Sequence, residues 1–334
     1  MNARDYSKVG GKKTVLRTGR RRSEEEVWNF GWIPPEARTH WQECFVEEAK
    51  EAMPKFEIIG TKRNDPDRVN LYELWKHPTV VAANGWEFTG THQLTGSCVG
   101  AGGGNALMTL ACAEVVLGRE AETPLLPFWL LPYGRSRFYL GMKSPGEGSS
   151  GTTFAKSARE DGVLAANATG LPTFTRTDGF VWGERVEYSW SDGDAAQTME
   201  KLAESRTHLV KTTAQCKDHN DVREAIRNGY PVTCASNYAH RPSVTSDPPV
   251  LLGKKSGSWS HQMSIQAWWR HPKLGEVFWL MNQWGLNAHG KDPAGGPLGG
   301  VWITSADVDW ICRDEVFAFS QYQGFPAQTF DLYV

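Results

Sequence analysis

"HQLTGSCVGAGGGNALM", His92 to Met108, sets one cysteine between a polar turn and a glycine-rich stretch that becomes apolar. The apolar residues continue through "TLACAEVVLG". The spacing therefore predicts one helix from Cys98 toward Gly118, with Ser97 as its N-cap and Gly118 at its C-terminal end. Gly100, Gly102, Gly103 and Gly104 each cost such a helix about 1 kcal/mol relative to alanine. A cost of that size implies that another backbone, or a ligand, lies very close to this face. "GAGGGN" does not suit a phosphate loop: no Lys-Ser/Thr follows it, no convincing strand leads into it, and no acidic ribose partner is placed. Cys98 falls at the helix N-terminus, where the positive end of the dipole and the unpaired N–H groups favour a thiolate. Cys112, in mid-helix, reads as an inert core residue.

A thiolate nucleophile needs a base, and the base needs a group that fixes its ring. "GSWSHQMSIQAWW" offers His261 at the start of a strand, and "VFWLMNQWG" offers Asn282 at the end of the next one. Antiparallel neighbours would bring the two together. Asn, unlike Asp, orients an imidazole without neutralising its charge, which suits a thiolate–imidazolium pair. Trp284 is placed to cover the Asn–His contact and keep water out.

With these residues in hand, the chain resembles the papain family of cysteine peptidases. Gln93 followed by Gly96-Ser97-Cys98 resembles the family's nucleophile segment, at the head of a long central helix. His261 opens a strand as the family histidine does, and Asn282-Gln283-Trp284-Gly285 matches Asn-Ser-Trp-Gly at three of four positions. "DVREAIRNGYPVTCAS" resembles the helix leading into Gly-Pro-Val, and "GSSGTTFAKSAREDGV" the Gly-Gly stretch and helix that bind substrate backbone. Thr95 and Val99 stand where the family signature has a cysteine and an aromatic. Gln93 lies one residue nearer the nucleophile than the family glutamine, and Ser260 replaces an acidic residue before the histidine.

The resemblance implies a papain-like α+β fold over residues 91–330. Its helical half, about 91–205, carries the central helix that starts at the nucleophile; its antiparallel β half covers about 206–330. The order of patterns, helices first and strand-like runs second, argues α+β independently. The resemblance further implies Cys98 as nucleophile, His261 as acid and base, and Asn282 as the orienting group. The Cys98 N–H and the Gln93 side chain would form the oxyanion hole, Trp284 would shield the Asn–His bond, and Gly151 would pair with substrate backbone. It calls for no cofactor and no metal. The remaining histidines, such as His240 and His289, have no metal-ligand spacing with Cys or acidic groups.

Composition bounds the rest. The 334 residues are 40% hydrophobic and 22% charged, as in a soluble globular protein with a real core. A net charge of −2 gives no general pull toward nucleic acid or an anionic membrane. No apolar run approaches the ~20 residues of a membrane span. The start of the chain has no apolar segment after its basic residues, so a secretory signal is not expected. The six cysteines are scattered without a CxxC, which suits reduced thiols in the cytoplasm. Residues 1–22 form a basic arm, and residues 23–90 an N-terminal extension expected to be an added arm or small domain rather than an inhibitory segment. Within it, "WQECFVEEAKEAM" has helical spacing, and "NLYELWKHP" reads as a short helix stopped by Pro78.

Two functions fit. The first is a papain-like thiol peptidase acting on a peptide or protein substrate. The second is a structural or assembly subunit, for example of a phage virion, that reuses the papain fold and holds neighbouring subunits through residues 1–22. The 15 tryptophans favour extensive contact surfaces and so suit the second.

Overall fold

The computed structural model of the chain describes residues 10–17, 24–53, 67–116, 126–208, 210–245, 247–321 and 324–325. The predicted glycine-rich helix is present as α3, Cys98–Val116. Gly118 lies outside the described residues. Residues from Cys98 to Leu110 are all buried, so α3 is apolar on every side, as a core helix is. Its length and apolarity would also suit a membrane span, but here it is wrapped by the protein's own elements.

The glycines have the close neighbours that their cost implies. A Cβ on Gly102 would stand 2.8 Å from the Gln262 carbonyl oxygen of strand β6 (Leu251–His271), so backbone meets backbone there. On the other faces Gly100 and Gly104 lie against the Trp129 ring, and Gly103 against Phe154.

Helices α4 (Leu130–Tyr139), α5 (Gly151–Glu160), α6 (Glu184–Trp190) and α7 (Ala196–Ser205) follow α3. Strand β4 (Thr212–Gln215) comes next, and then α8 (His219–Arg227), capped by Asp218. Gly229, at φ +85°, ends this helix and turns the chain into β5 (Val232–Val244). β5 runs antiparallel to β6 along most of its length, with register shifts around Tyr238. These irregularities lie beside the Ser236–His261 pair and add local twist where His261 sits.

β7 (Gly275–Met281) folds back antiparallel on β6 and delivers Asn282. β8 (Gly300–Thr304), α9 (Ser305–Ile311) and β9 (Glu315–Ser320) complete this half. The architecture is α+β, with helices packed on a curled sheet. Most strand pairs are antiparallel, and β6 makes short parallel contacts with β2 (Glu24–Asn29) and β8. His261 lies within β6 rather than at its start, because Leu251–Ser260 also pairs with β5 despite its lysines and glycines.

The N-terminal extension is woven into this sheet. β1 (Lys12–Arg17) and β2 (Glu24–Asn29) form an antiparallel pair, and β2 meets β6 at Trp28–Trp259 and Asn29–Ser260. Residues 1–9 and 18–22 of the basic arm lie outside the described residues. The "WQECFVEEAKEAM" helix is α1 (His40–Glu51), closed by a Thr39–Gln42 capping box. β3 (Arg68–Asn70) pairs with β6. Leu71–Lys76 is a 3-10 helix, and Pro78 opens a further helix, α2 (Pro78–Asn84). Proline at the first helical position lacks only an N–H that has no intrahelical partner there, so it starts a helix as readily as it stops one.

Alanine at Gly102 would gain about 1 kcal/mol of helix propensity. The clash with the Gln262 backbone outweighs that gain, because overpacking a core costs typically 1–3 kcal/mol. Gly102→Ala is expected to lower the thermal unfolding midpoint. An unchanged or raised midpoint would contradict the α3–β6 contact.

Candidate active site

The site is built where the head of α3 meets β6 and the turn after β7. Cys98 is fully buried, and its Sγ accepts a hydrogen bond from Gln262 N at 3.4 Å. The loop before it is clamped by a residue that sequence reasoning missed. The Glu187 carboxylate of α6 accepts bonds from Leu94 N, Thr95 N, Thr95 Oγ1 and Ser97 Oγ at 2.7 to 3.2 Å. Burial pushes Glu187 up to about 7, against the pull of these donors. Ser97, predicted as an N-cap, gives its hydroxyl proton to this clamp.

His261 Nε2 donates to Asn282 Oδ1 at 2.9 Å, so the strand pairing joins the two residues as the sequence indicated. Asn282 Oδ1 also accepts from Gln283 N at 2.7 Å, and Asn282 Nδ2 donates to His289 Nε2 at 3.0 Å. The amide is thus held on both sides, with its oxygen toward His261. The Trp284 ring stacks on the His261 ring at 5.0 Å and 23°. His261 Nδ1 is buried and makes no hydrogen bond.

A peptide segment from the extension covers these groups. Phe30 N donates to Ser260 O, continuing the β2–β6 contact past Asn29. The Phe30 carbonyl oxygen then accepts from Cys98 N at 3.3 Å and from Gln93 Nε2 at 3.3 Å. These are the two donors that the sequence marked as an oxyanion hole, and they converge on one carbonyl oxygen. The Phe30 ring packs 4.5 Å from Trp284 and 4.9 Å from His261. Gly31 adopts φ +113°, and a Cβ there would stand 1.9 Å from the Gly96 carbonyl oxygen. Only glycine lets the chain lie so close to this loop.

The segment continues along Ser149, whose N donates to Gly31 O and whose carbonyl accepts from Ile33 N, both at 2.8 Å. Gly151, predicted to pair with substrate backbone, gives its N–H to the Glu315 carboxylate at 2.7 Å. The peptide-pairing edge in the structure is therefore at Ser149. Its position two residues before Gly151 in "GSSG" is the only sequence signal for it.

Burial sets the protonation of the covered site. It pushes the Cys98 thiol up to about 12, and the backbone N–H groups of Gln262, Trp32 and Val99 offset this only in part. Burial pulls His261 down to about 3, opposed by its bond to Asn282. Both shifts favour the neutral thiol and the neutral imidazole over the ionised pair that the sequence suggests, because water is shut out from either charge. Among the described residues no group of three or more His, Cys, Asp or Glu is placed to hold a metal ion.

No protein-family profile matches the sequence, and no curated protein matches it. Solved structures do match by shape. Xylellain, a cysteine protease from Xylella fastidiosa, is 15% identical, with 88% of this chain and 97% of that chain covered at a TM-score of 0.51. Procathepsin B S9 from Trypanosoma congolense is 11% identical, with 88% and 91% covered at 0.49. Procathepsin L 3 of Tenebrio molitor larval midgut is 11% identical, with 84% and 79% covered at 0.48. The fold is papain-like, and it spans most of the chain.

Two measurements probe the covered state. In the intact protein, iodoacetamide at pH 8 is expected to modify the exposed Cys44 well before Cys98. Gly31→Ala, which strains the covering segment, is expected to speed Cys98 modification at least about tenfold and leave Cys44 unchanged. Equal rates at both cysteines in the intact protein would rule the cover out.

The second measurement is pH dependence. His261 binds its proton near its ordinary 6.5 when unfolded but only near 3 when folded. Its contribution to stability is therefore complete above about 6.5 and is lost as pH falls toward 3, on the order of a few kcal/mol in all. The fall in melting temperature between pH 7 and pH 4 should be smaller in His261→Gln, which cannot titrate. An equal fall in both proteins would contradict a buried neutral imidazole.

Proposed function

We propose that the chain is a papain-like thiol peptidase held inactive by its own residues 30–33. The observation that carries this reading is the Phe30 carbonyl oxygen, bound by both Cys98 N and Gln93 Nε2. A carbonyl bound by these two donors imitates the acyl group of a substrate. Phe30 is not attacked, because the buried thiol keeps its proton and His261 Nδ1 makes no bond to take it up.

When the segment withdraws, water and substrate reach the site and the desolvation of both groups is relieved. The Cys98 proton moves to His261 Nδ1, giving a thiolate and an imidazolium that Asn282 orients without quenching its charge. The sulfur attacks the substrate carbonyl carbon, and the oxygen takes up negative charge between Cys98 N and Gln93 Nε2, worth typically a few kcal/mol. His261 gives its proton to the departing amine as the C–N bond breaks, leaving an acyl-sulfur ester. Water then attacks that ester with His261 as base, releasing the acid and restoring the thiol. The assembly reading lacks an observation of this kind.

The test uses Gly31→Ala protein with a fluorogenic peptide and an epoxysuccinyl inhibitor. Peptide cleavage and inhibitor attachment at Cys98 are expected. Adding Cys98→Ala should lower cleavage by at least about a thousandfold, with the circular dichroism spectrum kept. Cleavage that survives Cys98→Ala would refute the assignment.

A further inference from the structure

The stretch of chain between Gln93 and Cys98 is held by one side chain, Glu187 of α6. Gln93 lies immediately before Leu94, and Cys98 immediately after Ser97. The donors that meet Glu187 span the whole stretch. Leu94 N reaches Oε1 at 3.1 Å, and Thr95 N, Thr95 Oγ1 and Ser97 Oγ reach Oε2 at 3.0, 2.8 and 2.7 Å. Thr95, which stands where the papain signature has a cysteine, supplies two of these donors. The carbonyl in the middle is fixed from another side: Gly96 O accepts from Tyr133 Oη at 3.1 Å and from Gly148 N at 2.9 Å.

This arrangement calls for a carboxylate. An ionised carboxylate offers about four lone-pair sites, whereas a carboxamide oxygen offers about two. Glu187 is fully buried, and among the described residues no lysine, arginine or histidine forms an ion pair with it. A buried acid without a countercharge is costly unless hydrogen bonds offset the lost water. Here the offsetting bonds come from residues 94–97, so the acid and the loop depend on each other.

The loop in turn carries the two N–H groups that meet Phe30 O. Gln93 N donates to Gln283 O at 3.0 Å, and Gln93 Nε2 donates to Thr95 O at 2.9 Å as well as to Phe30 O. Glu187 holds the N–H of the same Thr95 whose carbonyl steadies the Gln93 amide. Loss of the clamp would let Thr95 move, and Gln93 Nε2 with it, away from the point that Cys98 N faces. A misplacement of about 1 Å at a reacting centre can cost about a hundredfold in rate.

We infer that Glu187 is a positioning residue for the oxyanion hole: through Leu94, Thr95 and Ser97 it keeps Gln93 Nε2 and Cys98 N aimed at one point. This rests on the peptidase reading above. Glu187 acts through the loop and not on the substrate.

The test compares two reactions of Cys98 in Gly31→Ala protein at pH 8. Peptide cleavage develops an oxyanion. Alkylation by iodoacetamide displaces iodide at a saturated carbon and develops none. Glu187→Gln keeps the shape of the side chain and leaves one acceptor oxygen in place of two. Added to Gly31→Ala, it is expected to lower kcat for a fluorogenic peptide at least about tenfold, with KM and the rate of Cys98 alkylation each within about twofold of the parent. Thr95→Val removes one donor from the same carboxylate and should give the same split at smaller size; it decides the question should Glu187→Gln fold poorly. Equal losses in cleavage and alkylation, or no loss of cleavage, overturn the role of Glu187 and leave the peptidase reading standing, because the parent still cleaves through Cys98. A parent that cleaves no peptide and takes up no epoxysuccinyl inhibitor at Cys98 overturns both.

Discussion

The contact between α3 and β6 at Gly102 and the Gln262 carbonyl is the constraint from which the site follows. A helix that packs against a strand with no side chain between them fixes their separation to within the size of an atom. That contact sets Cys98, one turn earlier on α3, beside the strand that carries His261 and Gln262. Gln262 N then bonds the sulfur, and Gln262 Nε2 bonds Val99 O at 3.0 Å, so the two elements are stitched together at the reacting end. The glycines of α3 weaken the helix as a helix, but Gly102 permits this approach, and Gly100, Gly103 and Gly104 make room for the Trp129 and Phe154 rings.

Around that contact the buried polar groups form chains of partners. Gln283 Nε2 reaches Cys98 O and Gln262 O, joining the turn after β7 to both α3 and β6. Asn282 is held between His261 and His289, and Glu187 holds the loop before Cys98. Polar groups buried this deeply are costly unless satisfied, so each bond narrows the arrangements open to its neighbours. The result is a pair of N–H donors, Cys98 N and Gln93 Nε2, aimed at one point, as the proposed peptidase chemistry would need.

Closure and chemistry place opposite demands on the same residues. A segment that excludes water from Cys98 and His261 raises one affinity for protons and lowers the other, and so disfavours the charge pair that the proposed peptidase would use. In the proposed peptidase the cover would silence the site in two ways, by filling the donors and by desolvating the thiol. It is held at Phe30, at Ser149 and at Glu315, and these anchors lie on both the helical and the sheet side of the site.

What the sequence determined by itself were the features set by short-range spacing. The glycine-rich helix with Cys98 at its head, the strand bearing His261, the Asn282 turn and the α8-to-β5 passage are each written within about twenty residues, as helical and strand periods and their end signals. The extent of β6 was not legible, because lysines and glycines in Leu251–Ser260 hide a strand that exists through its pairing with β5. Nor was Pro78 as a helix start, since proline signals either end. Only the tertiary structure decided that Phe30 O accepts from both Cys98 N and Gln93 Nε2, that Glu187 clamps the loop, that Trp32 and Arg38 meet Glu315, and that burial pushes the Cys98 thiol toward its protonated form. Each of these joins residues far apart in the chain or depends on how completely a group is shut from water. No local pattern encodes either, because both arise only when the whole chain has packed.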